Sequence, residues 1–345
     1  MTNVLGQPPH IIPAHPLAVT EDGRPDWPAQ RLLSRYYLAA GATGLAMGVH
    51  TTQFQVHDDP ALFTRVLTEA ADVTGHVGSS AALVTGICGD VQQAVREAET
   101  ARELGYVAGL LSGYGMTDRS EAASLERARA VADVMPIMGF YMQDAVGGRY
   151  LSPAYWTSLL EIENLVAIKV APFDRYRTGD VAEAVALSGR DDVALLTGND
   201  DAIVTDLVLA HHYGDDRTTA VRFSGGLLGQ WAVGTKAAVE VTQQIWAIDG
   251  DCVPRELLDL ATQITSINQA VFDPEHNFAG SIAGVNEVLR QQGLLTSSRC
   301  LSDSEKLADG QQASIELARK RHPDLLDEEF IAMNIDAWRA DVADS

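Results

Sequence analysis

The sequence predicts an α/β protein: a closed (β/α)8 TIM barrel with a C-terminal helical extension. Short apolar runs begin near Ile11, Gly44, Ser80, Val107, Val134, Leu165, Val193 and Thr218, at spacings of 33, 36, 27, 27, 31, 28 and 25 residues. Each interval holds one helix-like stretch, so every crossover carries a helix and the strands run parallel. Eight such units in about 240 residues fit a closed barrel. An open doubly wound sheet has fewer strands and, for a dinucleotide, a GxGxxG after the first, which this sequence lacks.

The helical stretches follow in order. DVQQAVREAETARELG (90–105) and SLERARAVADV (124–134) are the clearest inside the repeat, and GICG at 86–89 reads as an ordinary turn between strand and helix. After about residue 245 the strand-like runs stop, and helices are expected over 255–272, 281–294, 310–322 and 328–342. The organisation expected is therefore a barrel carrying the active site over 1–245 and a helical extension packed on it over 246–345. No low-complexity linker separates the two.

Composition narrows the function. The chain has 345 residues, 46% of them apolar, and a chain of this length buries about 75% of its unfolded surface. With 25 basic and 47 acidic residues the net charge is −22. That argues against nucleic acid and anionic membranes, both of which select clustered Lys and Arg. A local positive pocket for a small anion stays open. Three separated cysteines (Cys88, Cys252, Cys300) without a CxxC fit a reducing, cytoplasmic setting and no disulfide framework. The N-terminal MTNVLGQPPH has no signal-peptide pattern, and Ala39–Val49 is too short and glycine-rich to span a bilayer.

The most informative residue is Lys169, inside LVAIKVAP (165–172). A strand buried on both faces is normally apolar throughout, and lysine is rarely buried unpaired. A two-residue period puts Ala167, Lys169 and Ala171 on one face and Val166, Ile168 and Val170 on the other. The bulky β-branched face suits the helix layer, and the alanine face leaves room beside the amine. Desolvation there favours the free amine, which attacks a ketone to form a Schiff base. The alternative is a lysine that reaches solvent past the strand end or pairs with a carboxylate.

Two further strands show the same arrangement. In LAMGVHTTQF (45–54), His50 shares a face with Ala46 and Gly48; in MPIMGFY (135–141), Tyr141 shares one with Ile137 and Gly139. Active sites of such barrels lie at the C-terminal strand ends, where Lys169, Tyr141 and His50 can converge. Near the eighth strand, SGGLLG (224–229) reads as a glycine-rich turn opening a helix. With Arg222 beside it, Ser224 and Gly225 become candidates for holding a distal carboxylate or phosphate. The plain alternative is a small-residue turn with an exposed arginine.

These residues resemble the dihydrodipicolinate synthase / N-acetylneuraminate lyase family of pyruvate-dependent class I aldolases, from about Ile11 to Leu301. IIPAHPLAVTEDGRPDW resembles the family's opening strand. FYMQDAVGGRYLSP followed by NLVAIKVAP resembles its tyrosine strand, loop and lysine strand. LLTGNDD (195–201) resembles the glycine–acidic turn after the seventh strand, and HNFAGSIAGVNEVLRQQGLL (276–295) the C-terminal helical segment. The resemblance implies Lys169 as the Schiff-base lysine, Tyr141 as the proton shuttle, and Tyr114, in LLSGYGM, as a second tyrosine near a subunit interface. The family's GTTGE-like carboxylate-binding motif corresponds to VHTTQ (49–53). There Thr51 keeps the hydroxyl in register, His50 replaces a threonine and Gln53 replaces the acid; His50, Thr51 and Thr52 become the substrate-binding candidates. The loop before Arg149 is longer than in the family, which argues against a carboxylate-binding role for that residue.

The expected activity is that of a lyase or aldolase acting on pyruvate or a larger 2-oxo acid through a Lys169 imine. No metal or organic cofactor is expected, the substrate is a small anion, and the resemblance implies a homotetramer built as a dimer of dimers. The alternatives are a dehydratase of 2-keto-3-deoxy sugar acids using the same imine, and a non-catalytic binding protein that kept the fold. A metal-dependent enzyme is disfavoured, because the nine histidines, among them His10, His15, His50 and His57, form no HxH or HExxH.

Overall fold

The computed structural model describes residues 4–215, 218–250 and 252–343. Ten strands occur among them: β1 (His10–Pro13), β2 (Gly44–Met47), β3 (Ala82–Ile87), β4 (Ala108–Leu111), β5 (Ile137–Met142), β6 (Leu165–Ala171), β7 (Ala194–Thr197), β8 (Ala210–Tyr213), β9 (Thr219–Arg222) and β10 (Gly225–Leu228). Eight form one parallel sheet in the order β1-β10-β7-β6-β5-β4-β3-β2. The ends of that order meet, because Ala14 bridges Ala46 in parallel and His15 N–H donates to Ala46 O at 3.0 Å. The sheet is therefore a closed barrel.

Alternation along each strand sorts the residues into two cores. Ile12, Ala46, Val84, Leu110, Met138, Ala167, Leu196 and Leu227 fill the barrel interior. Ile11, Leu45, Met47, Ile137, Ile168 and Val170 face the helix layer. Burying each large aliphatic side chain contributes about 1.5–3 kcal/mol. On β6 Ile168 and Val170 face outward and Ala167 and Lys169 inward, as the sequence predicts, whereas Val166, at the bulge opposite Ile137 and Met138, packs against the interior cluster.

The eighth barrel strand departs from expectation. The run near Thr218 was expected to be that strand and the following glycines its turn. Instead β9 pairs antiparallel with β8 as a hairpin outside the barrel, and the glycines at 225 and 226 are themselves barrel strand. The reason is steric. A Cβ on Gly225 would lie 2.0 Å from His10 O, so only glycine permits β10 to approach β1 this closely.

Helices after the barrel span Arg255–Phe272, Ser281–Gln291, Gln311–Arg321 and Glu328–Ala343. The last packs on the helix Trp27–Ala40, where buried Asp327 accepts from Tyr36 Oη at 2.6 Å, Lys236 N at 2.6 Å and Ala237 N at 2.9 Å. The helix Ser281–Gln291 reaches the barrel mouth, where Ser281 and Ile282 line the central cavity. No helix among the described residues is long and apolar enough to cross a membrane.

Candidate active site

A cavity opens at the C-terminal ends of the barrel strands. Lys169 enters it from β6 and is buried. Small neighbours make the space. Ala14 and Ala171 line the wall, and a Cβ on Gly198 would fall 2.6 Å from Lys169 Cε and 2.7 Å from Ala171 Cβ. Glycine after β7 is thus a requirement of the lysine's path. The ammonium lies 4.7 Å from the centroid of the Phe140 ring, within cation–π range.

Asp200, in the turn after β7, is the second ionisable group in the wall. Its carboxylate accepts from Gln230 N at 2.9 Å, and its own carbonyl accepts from Asn268 Nδ2 at 2.6 Å, so the turn is held from two sides. Burial raises the Asp200 carboxyl above its ordinary range, against the opposing pull of the Gln230 N–H and Lys169. Burial lowers the Lys169 ammonium, with Asp200 partly offsetting it. The pair therefore sits nearer neutrality than either group would in water, where proton transfer between enzyme and substrate is easiest. His50 completes the polar set; burial, and then the Lys169 charge, push its imidazole down to about 4, so it is neutral at physiological pH.

The structure brings only part of the predicted set together. Lys169, His50 and Thr51 line the cavity. The Thr51 hydroxyl donates to Ala14 O at 2.8 Å, and that of Thr52, outside the lining, to His15 O at 2.6 Å; both tie the turn after β2 to β1. Gln53 accepts from Leu301 N and anchors the C-terminal segment.

Tyr141 does not reach the cavity. It faces the helix layer, packed at 5.1 Å on Trp156, with its hydroxyl accepting from Leu151 N at 3.3 Å. Phe140 takes the inward position because it is the register partner of Lys169. The residues grouped with Tyr141 share its face as expected, but that face is the outer one. Tyr114 lies beyond β4, stacked on Phe54 at 5.2 Å and donating to Asp58 Oδ2 at 3.1 Å, also outside the cavity lining.

Of the proposed anion turn at 224–229, only its last residue, Gly229, lines the cavity. Ser224 and Gly225 stand at the N-terminal end of β10, opposite the cavity, where Ser224 N donates to Leu195 O. Arg222 is exposed on the hairpin and donates to Val208 O at 3.1 Å. The pattern-based expectation failed because the glycines were placed after the strand they in fact form.

A second buried cluster joins residues separated in sequence. Ligand atoms of His57, Cys88 and Glu97 lie within 4.8 Å of one another. His57 Nε2 bonds Gly48 O at 2.7 Å, its Nδ1 lies 3.0 Å from Glu97, and Glu97 accepts from Cys88 N at 2.8 Å. No short motif announces this set, which explains why spacing alone did not find it. Asp200 was also missed, although an acidic turn directly after a barrel strand was the available signal.

No family model matches the chain. Two 4-hydroxy-tetrahydrodipicolinate synthases, from two strains of Bifidobacterium longum, are each 27% identical over 194 residues, covering 55% of this chain and 60% of theirs. The match thus spans less than two thirds of those relatives. A pyruvate complex of an Escherichia coli prophage protein belonging to the dihydrodipicolinic acid synthase family superposes with a TM-score of 0.75 at 18% identity, covering 90% of this chain and 97% of that one. N-acetylneuraminate lyase from Fusobacterium nucleatum gives 0.71 at 16% identity, again over 90% and 97%. The chain therefore has the barrel fold of the dihydrodipicolinate synthase and N-acetylneuraminate lyase structures, the group its Lys169 strand resembles.

Proposed function

We propose that this chain is a Schiff-base-forming lyase or aldolase of the dihydrodipicolinate synthase type, acting on pyruvate or a larger 2-oxo acid. The observation that carries the reading is Lys169: a buried amine with a lowered pKa, in a cavity at the active end of a barrel. The pyruvate bound by the Escherichia coli relative supports the substrate class.

The free amine of Lys169 attacks the C2 ketone to give a carbinolamine. Loss of water then needs a proton on the departing hydroxyl, and Asp200 is the carboxyl placed to supply it, since the Tyr141 hydroxyl is committed outside the cavity. The resulting iminium accepts the electron pair of a C–C or C–H bond at C3, forming an enamine. Protonation at C3 and hydrolysis of the imine release product and restore the amine. Neutral His50 offers a hydrogen bond to the reacting oxygen. The iminium charge and the backbone N–H groups of the 50–52 turn hold the carboxylate.

Borohydride reduction in the presence of pyruvate tests this. A reduced pyruvyl adduct on Lys169, absent from Lys169→Ala, is expected. No adduct with a panel of 2-oxo acids overturns it and favours a binding protein on the same fold. Analysis of the products separates an aldolase, which releases pyruvate, from a dehydratase, which does not. Assembly as a tetramer is part of the proposal and is read by sedimentation.

A further inference from the structure

We propose that the site selects 2-oxo acids whose distal end is an uncharged aryl group, and that it cleaves them between C3 and C4 to pyruvate and an aromatic aldehyde. This rests on the Schiff-base reading and extends it to the part of the substrate beyond the imine.

The first support is the wall. Beyond Phe140, which flanks Lys169, the cavity is bounded mainly by Met142, Val146, Phe173, Phe278 and Ile282, with Gln143 and Ser281 the polar side chains among them. Gln143 and Ser281 can meet only part of a polyhydroxylated tail, and its remaining hydroxyl groups would lie against ring and methyl carbons with their hydrogen bonds to water unreplaced. A flat aryl ring would bury its faces there and lose nothing.

The second support is charge. Lys169 is the one cationic side chain among those lining the cavity, and imine formation uses it. Arg222, the sequence candidate for a distal carboxylate, sits on the outer hairpin. A second substrate carboxylate would therefore share the lining with Asp200 and find no cationic partner there, which makes it unfavourable.

The third support is backbone strain. Phe173 and Phe278 pack edge to face at 5.5 Å, and they hold φ of +52° and +64°. Bulky side chains are rare in that left-handed region, which glycine and asparagine occupy far more easily. Two phenylalanines kept there, packed on each other in the cavity wall, mark a position where the ring matters more than the conformational cost.

The chemistry balances. In a 4-hydroxy-4-aryl-2-oxobutanoate bound as the Lys169 iminium, the 4-hydroxyl loses its proton to Asp200 and the C3–C4 bond breaks. Its electron pair moves into the iminium to give the enamine, and the aryl aldehyde leaves. The enamine is protonated at C3, and water hydrolyses the imine to pyruvate and free Lys169.

The test compares pyruvate release from 4-hydroxy-2-oxo-4-phenylbutanoate and from 2-keto-3-deoxygluconate, with borohydride trapping by pyruvate run on the same protein. Expected are a Lys169 adduct and a kcat/KM at least about tenfold higher for the phenyl compound. Phe278→Asn, whose backbone suits the residue better, is expected to keep or raise the thermal midpoint while bringing that ratio to near parity. Phe173→Asn is the second variant, read in the same way. An adduct with equal or faster cleavage of the sugar acid overturns the inference and leaves the Schiff-base reading standing. So does a folded pair of variants with the ratio unchanged. Absence of any adduct overturns both.

Discussion

Phe140 and Lys169 are register partners across β5 and β6, and the lysine ammonium lies 4.7 Å from the phenylalanine ring centroid. That pairing decides which aromatic residue of the Phe140–Tyr141 pair faces the cavity. It places a ring without a hydroxyl beside the amine and turns the neighbouring phenol into the helix layer. On the proposed mechanism, proton transfer then falls to Asp200, with His50 hydrogen-bonding in its neutral form.

Tyr141→Phe is therefore expected to leave kcat within about threefold of wild type, where loss of a general acid–base group costs about 10²–10⁴. Stability is expected to fall by about 1 kcal/mol, because Leu151 N loses the buried oxygen it donates to. Steady-state kinetics and a denaturant titration check the two parts.

The pH dependence of imine formation follows from the Lys169–Asp200 pair. Attack needs the free amine, and burial lowers the ammonium from its ordinary 10.5, so the trapping rate rises with pH through a midpoint below that value. The Asp200 charge raises the ammonium, so Asp200→Asn moves the midpoint further down. The same variant removes the proton donor for carbinolamine dehydration, so the plateau rate falls by about 10²-fold or more. A rate–pH profile separates midpoint from plateau; an upward shift of the midpoint would contradict the assignment.

Gly198→Ala tests the path of the lysine. Its new Cβ would stand 2.6 Å from Lys169 Cε, so the amine must move. A displacement of this size at a reacting atom costs about 10²-fold in rate, with overpacking of about 1–3 kcal/mol in stability. Trapping kinetics on protein shown to be folded by circular dichroism measures the first, and thermal unfolding the second.

The His57–Glu97 pair makes a pH-dependent contribution to stability. Burial pulls the imidazole down, but Cys88 and Glu97 outweigh it and raise the pKa well above 6.5. A raised folded-state pKa stabilises fully below 6.5, and the contribution is lost as pH rises through the folded value. Glu97→Gln is expected to cost about 1–3 kcal/mol at pH 6, with the difference from wild type narrowing as pH rises. Denaturant titrations across that range check it.

Much of the site was legible because one residue broke a pattern. A lysine inside an apolar strand, flanked by alanines on its own face, has few structural excuses; His50 also lines the cavity, but from the 3-10 turn His50–Thr52 beyond the end of β2, where strand alternation no longer applies. Tyr141 shows the limit. Its grouping with Ile137 and Gly139 was right, but both faces of a buried parallel strand are apolar, so alternation sets the grouping and leaves the phase open. The phase came from pairing with β6, where the register shifts between Ile137 and Met138. Asp200 and the His57–Cys88–Glu97 cluster escaped for a related reason: their partners come from neighbouring strand–helix units and are brought close only by the pairing of β6 with β7 and of β2 with β3.

The sequence by itself determined the barrel, through the spacing of its apolar runs, and the inward lysine, through local periodicity. Both are short-range properties of the chain. Tertiary structure decided that Phe140 rather than Tyr141 meets Lys169, that the glycines at 225 and 226 are strand rather than turn, and that Arg222 lies outside the site. Each of these depends on how one strand lies against another. That relation is set by long-range packing and close backbone approach, and it has no signature within a single strand.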